Sequence, residues 1–361
     1  MSENNRSYPL DFVKLAATVL IVFHHYQQVI GGSFRYVNFY NGRFYYGLVV
    51  ELFFVLSGFF MLRYVEKIKE GLSFRSFFAK RYFRLMPMLA VTAICCGALM
   101  LIYRRVTAGS LTGAGTTLLG TAASALGFAE AWTFFTNTPA VNNPTWYVSV
   151  LLLCYLAFYW LCRLAKKLRI SPIVLFAAPI ALGVCIKCFG VELPLLNGTC
   201  ARGYYAFFTG LLLAHALERK RPAWPVYIAC AAVIAALTVL IYKKSALVQN
   251  GTEYVMTFIY YPAVVMLFTS PLAERVFRLK IFGTLGRISF NVFVWHAVLL
   301  ELLKLLIKLG AVPSDCKTFP AMLVFTACAF AWGAVSYFFI ERPITKRIDK
   351  KHFAKLPEDG K

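Results

Sequence analysis

Two ionisable residues in the first apolar stretch have the types and spacing needed for chemistry. Lys14 and His25 lie about 20° apart on one face of an α-helix and about 16 Å apart along its axis, with Thr18 on the same stripe. Ionisable groups are costly inside a membrane, so those that occur there are candidates for function. This polar stripe is expected to face a water-filled cavity or another helix.

A carboxylate is expected at a similar depth in the second apolar stretch. Glu51 and His25 both lie roughly 9 Å or less below the same end of their helices. A carboxylate beside an imidazole fixes its tautomer and raises its basicity, as in general-base catalysis. The sequence therefore predicts His25 and Glu51 as a catalytic pair. The structural alternative is a buried pair that only fixes helix packing.

Two more histidines lie in apolar stretches. His24 is about 100° around the helix from His25 and is interpreted as a packing residue. His296 lies about 12 Å inside the ninth apolar stretch. It either lines a channel for a donor substrate or forms a hydrogen bond with a neighbouring helix, and the sequence favours neither.

Arginines gather before Pro87. Arg81 and Arg84, with Arg63 nearby, could bind phosphates, because a guanidinium offers two parallel hydrogen bonds. The alternative is a basic loop that only sets orientation, since loops on the inner side of a membrane are basic in general.

The composition indicates that much of the protein surface faces lipid. Hydrophobic residues make up 60% of the 361 residues and charged residues only 15%. A soluble protein would carry about a quarter charged residues, so much of this surface must face hydrocarbon. The net charge of +22 comes from short clusters between apolar stretches, which argues against nucleic acid as a partner.

Ten stretches are long and apolar enough to be predicted as transmembrane helices. Most Lys and Arg residues fall on one side if the stretch 111–135 does not cross, and the positive-inside rule then puts both termini in the cytoplasm. The loop 104–143 is expected outside, where it could dip into the membrane. The predicted spans are 9–30, 45–63, 86–103, 145–163, 172–190, 201–217, 224–242, 253–270, 288–308 and 320–340.

Three further features complete the predicted architecture, an all-α membrane protein. The segment 73–84 has one aromatic stripe and is expected to be an interfacial helix on the inner leaflet. Residues 1–345 are predicted to form the integral membrane domain and 346–361 a basic cytoplasmic tail. The ten cysteines indicate neither a disulfide framework nor a metal site.

Several of these stretches together resemble the acyltransferase-3 family of ten-helix integral membrane acyltransferases. An Asp11-Phe-Val-Lys14 turn precedes His25 by ten residues, Val50-Glu51 opens a stretch that ends Ser-Gly-Phe, and an Arg-x-x-Arg pair precedes Pro87. PTWYVSVLLL at 144–153, ISFNVFVWHAVLL at 288–300 and ERP at 341–343 follow in family order. The motifs cover nearly the whole chain.

The resemblance implies an enzyme of the cell membrane. The implied donor is acyl-CoA, usually acetyl-CoA, bound from the cytoplasm by Lys14, Arg81, Arg84 and His296. The acceptor is a hydroxyl, often of an envelope glycan outside. Lys14 replaces the family's usual Arg, Glu51 replaces Asp, and the Glu of a fourth-helix W-S-L-x-x-E motif is absent.

A different class of protein is the alternative. A transporter or glycan exporter of ten helices could use His25 and Glu51 as a proton relay. Transporters often show paired repeats and broken helices at the midplane, and the sequence shows neither.

Overall fold

The computed structural model describes residues 6–34, 37–40, 42–129, 131–132, 141–243 and 251–348, and these form helices joined by loops, with no strand. This confirms the all-α class and a membrane protein with several apolar helices. The helices are α1 Tyr8–Ile30, α2 Tyr46–Lys69, α3 Phe74–Ala108, α4 Ala114–Ala125, α5 Thr145–Leu168, α6 Pro172–Phe189, α7 Gly198–Arg219, α8 Trp224–Tyr242, α9 Thr252–Phe268, α10 Pro271–Val276, α11 Lys280–Lys308 and α12 Phe319–Ile348.

Seven of the described helices are long and apolar enough to cross a membrane: α2, α3, α5, α6, α8, α11 and α12. The other three predicted spans are also helical, as α1, α7 and α9, but they are shorter or less apolar. For α1 the reason is packing, because polar residues such as Asp11, His24 and Gln27 are buried against protein. A helix that contacts other helices on most sides does not need a lipid-compatible surface.

The centre of the bundle consists of two close helix pairs, α1 with α11 and α2 with α7. Glycines allow the second pair to touch backbone to backbone. A Cβ on Gly58 would lie 1.8 Å from the Phe207 carbonyl oxygen, and one on Gly210 would lie 2.0 Å from the Val55 carbonyl oxygen. In lipid the hydrophobic effect does not drive helices together. Small residues stabilise such crossings because they allow close van der Waals packing.

The stretch predicted as a separate interfacial helix is part of a longer helix. α3 starts at Phe74, where the hydroxyl of Ser73 accepts a hydrogen bond from the Ser76 N–H, and continues through Pro87 to Ala108. The prediction of a separate helix over 73–84 is therefore wrong. Pro87 removes one backbone donor, but Leu and Met on both sides favour the helix.

The loop between α3 and α5 folds back along α3. Helix α4 packs against α3, and its end reaches the level of Tyr82, whose hydroxyl donates to the Leu126 carbonyl at 3.3 Å. A Cβ on Gly127 there would lie 2.8 Å from the methyl carbon of Met86. This loop thus packs back onto α3 along most of the length of that helix. Residues 130 and 133–140 of this loop, and 349–361 of the predicted tail, lie outside the described residues.

Candidate active site

The candidate catalytic histidine lies where α1 packs against α11. His25 Nδ1 is 2.8 Å from His296 Nε2. The two rings are inclined by only 17°, with centroids 5.0 Å apart. The rings are nearly coplanar, so the N–H of one points along the lone pair of the other. The structure thus brings together two histidines that the sequence treated separately, and His296 does bond a neighbouring helix.

Hydrogen bonding assigns the proton in this pair. His296 Nδ1 lies 3.2 Å from the Val292 carbonyl oxygen, which can only accept, so Nδ1 carries the proton. His296 Nε2 is then the acceptor, and His25 Nδ1 donates to it. In neutral His25 the Nε2 atom keeps its lone pair. Two bonds in series therefore place a basic nitrogen on the far side of His25.

The side-chain amide of Asn143 donates a hydrogen bond to His25 Nε2. Asn143 Nδ2 lies 3.2 Å from His25 Nε2, and its side chain is exposed. The preceding residue fixes its position, since fully buried Asn142 donates to the Val294 carbonyl of α11 at 3.1 Å. The Thr145 hydroxyl donates to the Asn142 carbonyl at 2.7 Å and orders the start of α5. Because this amide is exposed, a hydroxyl donor can displace it from the nitrogen.

A small cavity of about 60 Å³ opens beside these groups. That volume has room for a hydroxyl or a few water molecules. Glu301 contributes a carboxylate to its wall, and this carboxylate pairs with Lys304 at 2.9 Å. The lining residues are His25, Val29, Cys96, Val141, Asn143, Ala297, Leu300 and Glu301.

The partner predicted for His25 lies elsewhere. Glu51 is fully buried, and its two carboxylate oxygens accept from Arg202 Nε at 2.5 Å and Nη2 at 3.0 Å. Arg202 Nη2 also donates to the Gly47 carbonyl, and its guanidinium lies 4.7 Å from the Trp146 ring. Both ring nitrogens of His25 are bonded to other residues, so the predicted direct His25–Glu51 contact is wrong. Glu51 joins α2 to α7.

A polar chain holds α11 beside the histidines. Trp295 Nε1 donates to the Ser336 hydroxyl, and that hydroxyl donates to Asn291 Oδ1, each at 2.8 Å. Asn291 Nδ2 in turn donates to the carboxylate of Glu341. Satisfied buried networks of this kind rigidify a core. The motif residues of 288–300 and 341–343 thereby fix the rotation of α11 and the direction of His296.

The predicted donor cations lie towards the other end of α1. Asp11 is buried and pairs with both Arg6 and Lys14, the latter at 3.3 Å. The Lys14 ammonium also lies 4.5 Å from the Phe60 ring centre. Thr18 is fully buried and donates to the Lys14 carbonyl at 2.8 Å, so at this position the stripe faces protein, the second of the two expected cases.

One of the two arginines, Arg84, comes close to Lys14. Arg84 is exposed and near enough to Lys14 and Glu341 for their charges to interact. Arg81 is held more firmly, with its guanidinium 3.7 Å from the Phe77 ring and 4.1 Å from the Tyr64 ring. Arg84 is close to Lys14, and Arg81 lies about one turn before it on α3. These three residues are called the donor cluster below.

An aromatic layer lies next to His296. Phe293 is 6.1 Å from the His296 ring and 5.5 Å from the Tyr147 ring. The Tyr147 hydroxyl lies 3.0 Å from the Ser57 hydroxyl. Among the described residues no three His, Cys, Asp or Glu side chains are grouped as a metal site.

Three site residues escaped the sequence reasoning. Asn143 belongs to an amide pair just before the PTWY stretch. Arg202 is a charge near the start of an apolar stretch, and Glu301 is a carboxylate within one. The last two carry the same signal that selected His25, an ionisable group in an apolar stretch.

One known protein family matches nearly the whole chain. Residues 8–339 match the model of the acyltransferase-3 family, described as an acyltransferase domain. No curated protein and no solved structure gives a significant match to the chain. The matched range runs from the first residue of α1 into α12 and includes both histidines and the donor cluster. The chain therefore belongs to the acyltransferase-3 family and is a membrane acyltransferase.

Proposed function

We propose that the protein transfers an acyl group, usually acetyl, from cytoplasmic acyl-CoA to a hydroxyl of an envelope or other extracytoplasmic glycan. One observation carries this proposal. The chain of bonds from the Val292 carbonyl through His296 leaves the Nε2 lone pair of His25 beside a cavity that has room for a hydroxyl. Family membership favours this enzyme over the transporter alternative.

The proposed donor site is the donor cluster. Phosphates of CoA would bind Arg84, Arg81 and Lys14, and the extended pantetheine arm would carry the thioester towards His25. Helix geometry separates Lys14 from His25 by about 16 Å, a distance that an extended pantetheine arm can span. His296, predicted to contact the donor, acts in this proposal on His25 instead.

In the proposed reaction His25 is the general base. Its Nε2 atom accepts the proton of the acceptor hydroxyl as the hydroxyl oxygen attacks the thioester carbonyl. The C–S bond breaks, the ester forms, and the proton passes from His25 to the departing thiolate. His296 accepts the Nδ1–H bond throughout and stabilises the imidazolium. Asn143 moves off Nε2 and donates to the developing oxyanion.

Glu51 has an indirect part in this proposal. Its ion pair with Arg202 fixes α2 against α7, and Arg202 contacts Trp146, three residues after Asn143. Glu51 is then a positioning residue that supports the start of α5. This replaces the proton-orienting role predicted from the sequence.

We further propose that the chain spans the cell membrane ten times, with both termini in the cytoplasm. Helix directions support this arrangement. α1 and α11 run parallel, because Asp11 contacts Gly286 near one end and His25 contacts His296 near the other. The first and ninth spans of a ten-span protein also run in the same direction. The donor cluster would then lie towards the cytoplasm and His25 towards the outside.

The test compares cells that express the protein or its variants. We expect alkali-labile acetyl esters on envelope glycans with the wild type, none with His25→Ala, and wild-type amounts with His215→Ala, a histidine that does not line the His25 cavity. Equal ester content with wild type and His25→Ala, at equal protein levels, would contradict the proposal. If radiolabelled acetyl-protein accumulates without acceptor and disappears in His25→Ala, the acyl group passes through His25 itself.

A further inference from the structure

A groove of about 1020 Å³ runs along the outside of the bundle between α5 and α6. On α5, Trp160, Arg163, Leu164 and Lys167 follow the i, i+3, i+4, i+7 spacing of one helix face. The groove is at the upper end of the size range of small-molecule sites, about 300–1,000 Å³. It is separate from the cavity at His25, with which it shares no lining residue.

Local sequence explains why a groove forms here. Pro179 lacks an N–H, and its ring clashes with the carbonyl four residues earlier. Accordingly α6 is interrupted at Phe176, between the segments Pro172–Leu175 and Ala177–Phe189. Small side chains, Ala157 on α5 and Ala178 on α6, then leave space beside the large ring of Trp160.

The charges of the groove are confined to the C-terminal part of α5. Arg163, Lys166 and Lys167 line the groove there. Lys166 donates to the Lys69 carbonyl at 2.5 Å, whereas no ion pair within the described residues joins Arg163 or Lys167 to a carboxylate. The remaining lining is apolar: Ala157, Trp160, Leu161, Leu164, Ala178, Pro179 and Leu182.

We propose that this groove binds one anionic phospholipid. An apolar channel with two uncompensated cations at one end complements an amphiphile that has an anionic head and a hydrocarbon tail. Arg163 and Lys167 would bind the phosphodiester, and an acyl chain would lie along Trp160, Leu164 and Leu182. Basic pockets between membrane helices bind anionic head groups in this way. On the proposed orientation, the lipid comes from the inner leaflet.

Binding of purified full-length protein to phosphatidylglycerol and phosphatidylcholine with identical acyl chains tests the proposal, with native mass spectrometry as the readout. We expect one phosphatidylglycerol to be retained at concentrations at which phosphatidylcholine is not. Arg163→Ala with Lys167→Ala should weaken phosphatidylglycerol binding about thirtyfold, given the contribution of each cation near a lipid head group. Ala178→Trp, which fills the groove and keeps the charges, should also abolish tight binding.

The matched control is Arg219→Ala with Arg221→Ala, which removes the same charge from another exposed basic segment that does not line the groove. It should bind phosphatidylglycerol as the wild type does. Equal binding of both lipids, an equal loss in the control, full binding by Ala178→Trp, or a second protein copy in place of lipid would each overturn the proposal. The readout is lipid binding, so it does not depend on acyl transfer.

Discussion

His25 and His296 share one hydrogen bond of 2.8 Å between rings that lie nearly in a common plane. The residues come from helices at opposite ends of the sequence. His296 has its proton directed to a backbone carbonyl, so it faces His25 as an acceptor. A neutral imidazole thus takes the place beside His25 that a carboxylate occupies in serine hydrolases.

Replacement of His296 should therefore impair turnover more than donor binding. We expect His296→Ala to lower kcat roughly a hundredfold or more, because the tautomer and direction of the general base are lost. His296→Gln keeps an oxygen acceptor and should recover part of kcat. Steady-state kinetics at saturating acetyl-CoA measure this. A raised donor KM with unchanged kcat would instead make His296 a donor-binding residue.

Asn143 should contribute through the transition state. Loss of one oxyanion donor costs about 10²–10³ in kcat, so Asn143→Ala should reduce kcat within that range and leave donor KM nearly unchanged. Asn143→Asp also removes the donor and adds a negative charge beside the oxyanion, so it should be worse than Asn143→Ala. A faster Asn143→Ala enzyme would mean that the amide only blocks His25.

The Glu51–Arg202 pair should determine stability. Removal of one partner of a buried ion pair costs about 3–5 kcal/mol, so Glu51→Gln should lower the thermal unfolding temperature in detergent. Glu51→Gln combined with Arg202→Gln should recover part of that loss, because no buried charge is then unpaired. If Glu51→Gln keeps wild-type stability and loses turnover, Glu51 takes part in the chemistry.

Charge reversal at Arg84 tests the donor cluster most directly. It is exposed, whereas Arg81 also packs on Phe77 and Tyr64, so Arg84→Glu changes charge with little effect on packing. We expect the donor KM to rise about tenfold or more and kcat at saturation to change little, since remote phosphate contacts are uniform binding. Arg75→Glu, an exposed arginine earlier on α3, is the matched control. An equal KM in both variants would leave the donor site unassigned.

Cysteine labelling should establish the orientation. In a background that lacks the exposed Cys185, Cys188 and Cys328, a cysteine at Arg105 should react with a membrane-impermeant reagent added outside intact cells. Cysteines at Lys167 and Lys220 should react only after permeabilisation. Labelling of Lys220 from outside would contradict the proposed ten-span arrangement.

The extent of the apolar helices could be predicted from the sequence, and all ten predicted stretches are helical in the structure. The identity of each helix's neighbour could not. His25 and Glu51 were matched by depth, but their helices face different partners: α11 for His25 and α7 for Glu51. Depth is set by hydrophobic length, whereas the contacts around a helix depend on tertiary packing such as the Gly58–Phe207 approach.

The wrong prediction of a separate interfacial helix over 73–84 has a different origin. An aromatic stripe among charges is typical of an interfacial helix, and it is equally compatible with the first turns of a longer helix that packs on protein. Phe74 stacks on Trp160 and Phe77 is buried, so the stripe faces α5 rather than lipid. Only the tertiary contacts distinguish these two cases.

The 35 residues of α3 also have a mechanical consequence. At 1.5 Å per residue the helix measures about 52 Å, well beyond the roughly 30 Å of a hydrocarbon core. A helix of that length accommodates changes in bilayer thickness by tilting rather than by shortening. Arg84 on α3 and His296 on α11 belong to helices packed against each other, so they move together. With the donor site as proposed, the distance that the donor must span is therefore set by the protein and stays constant from one membrane to another.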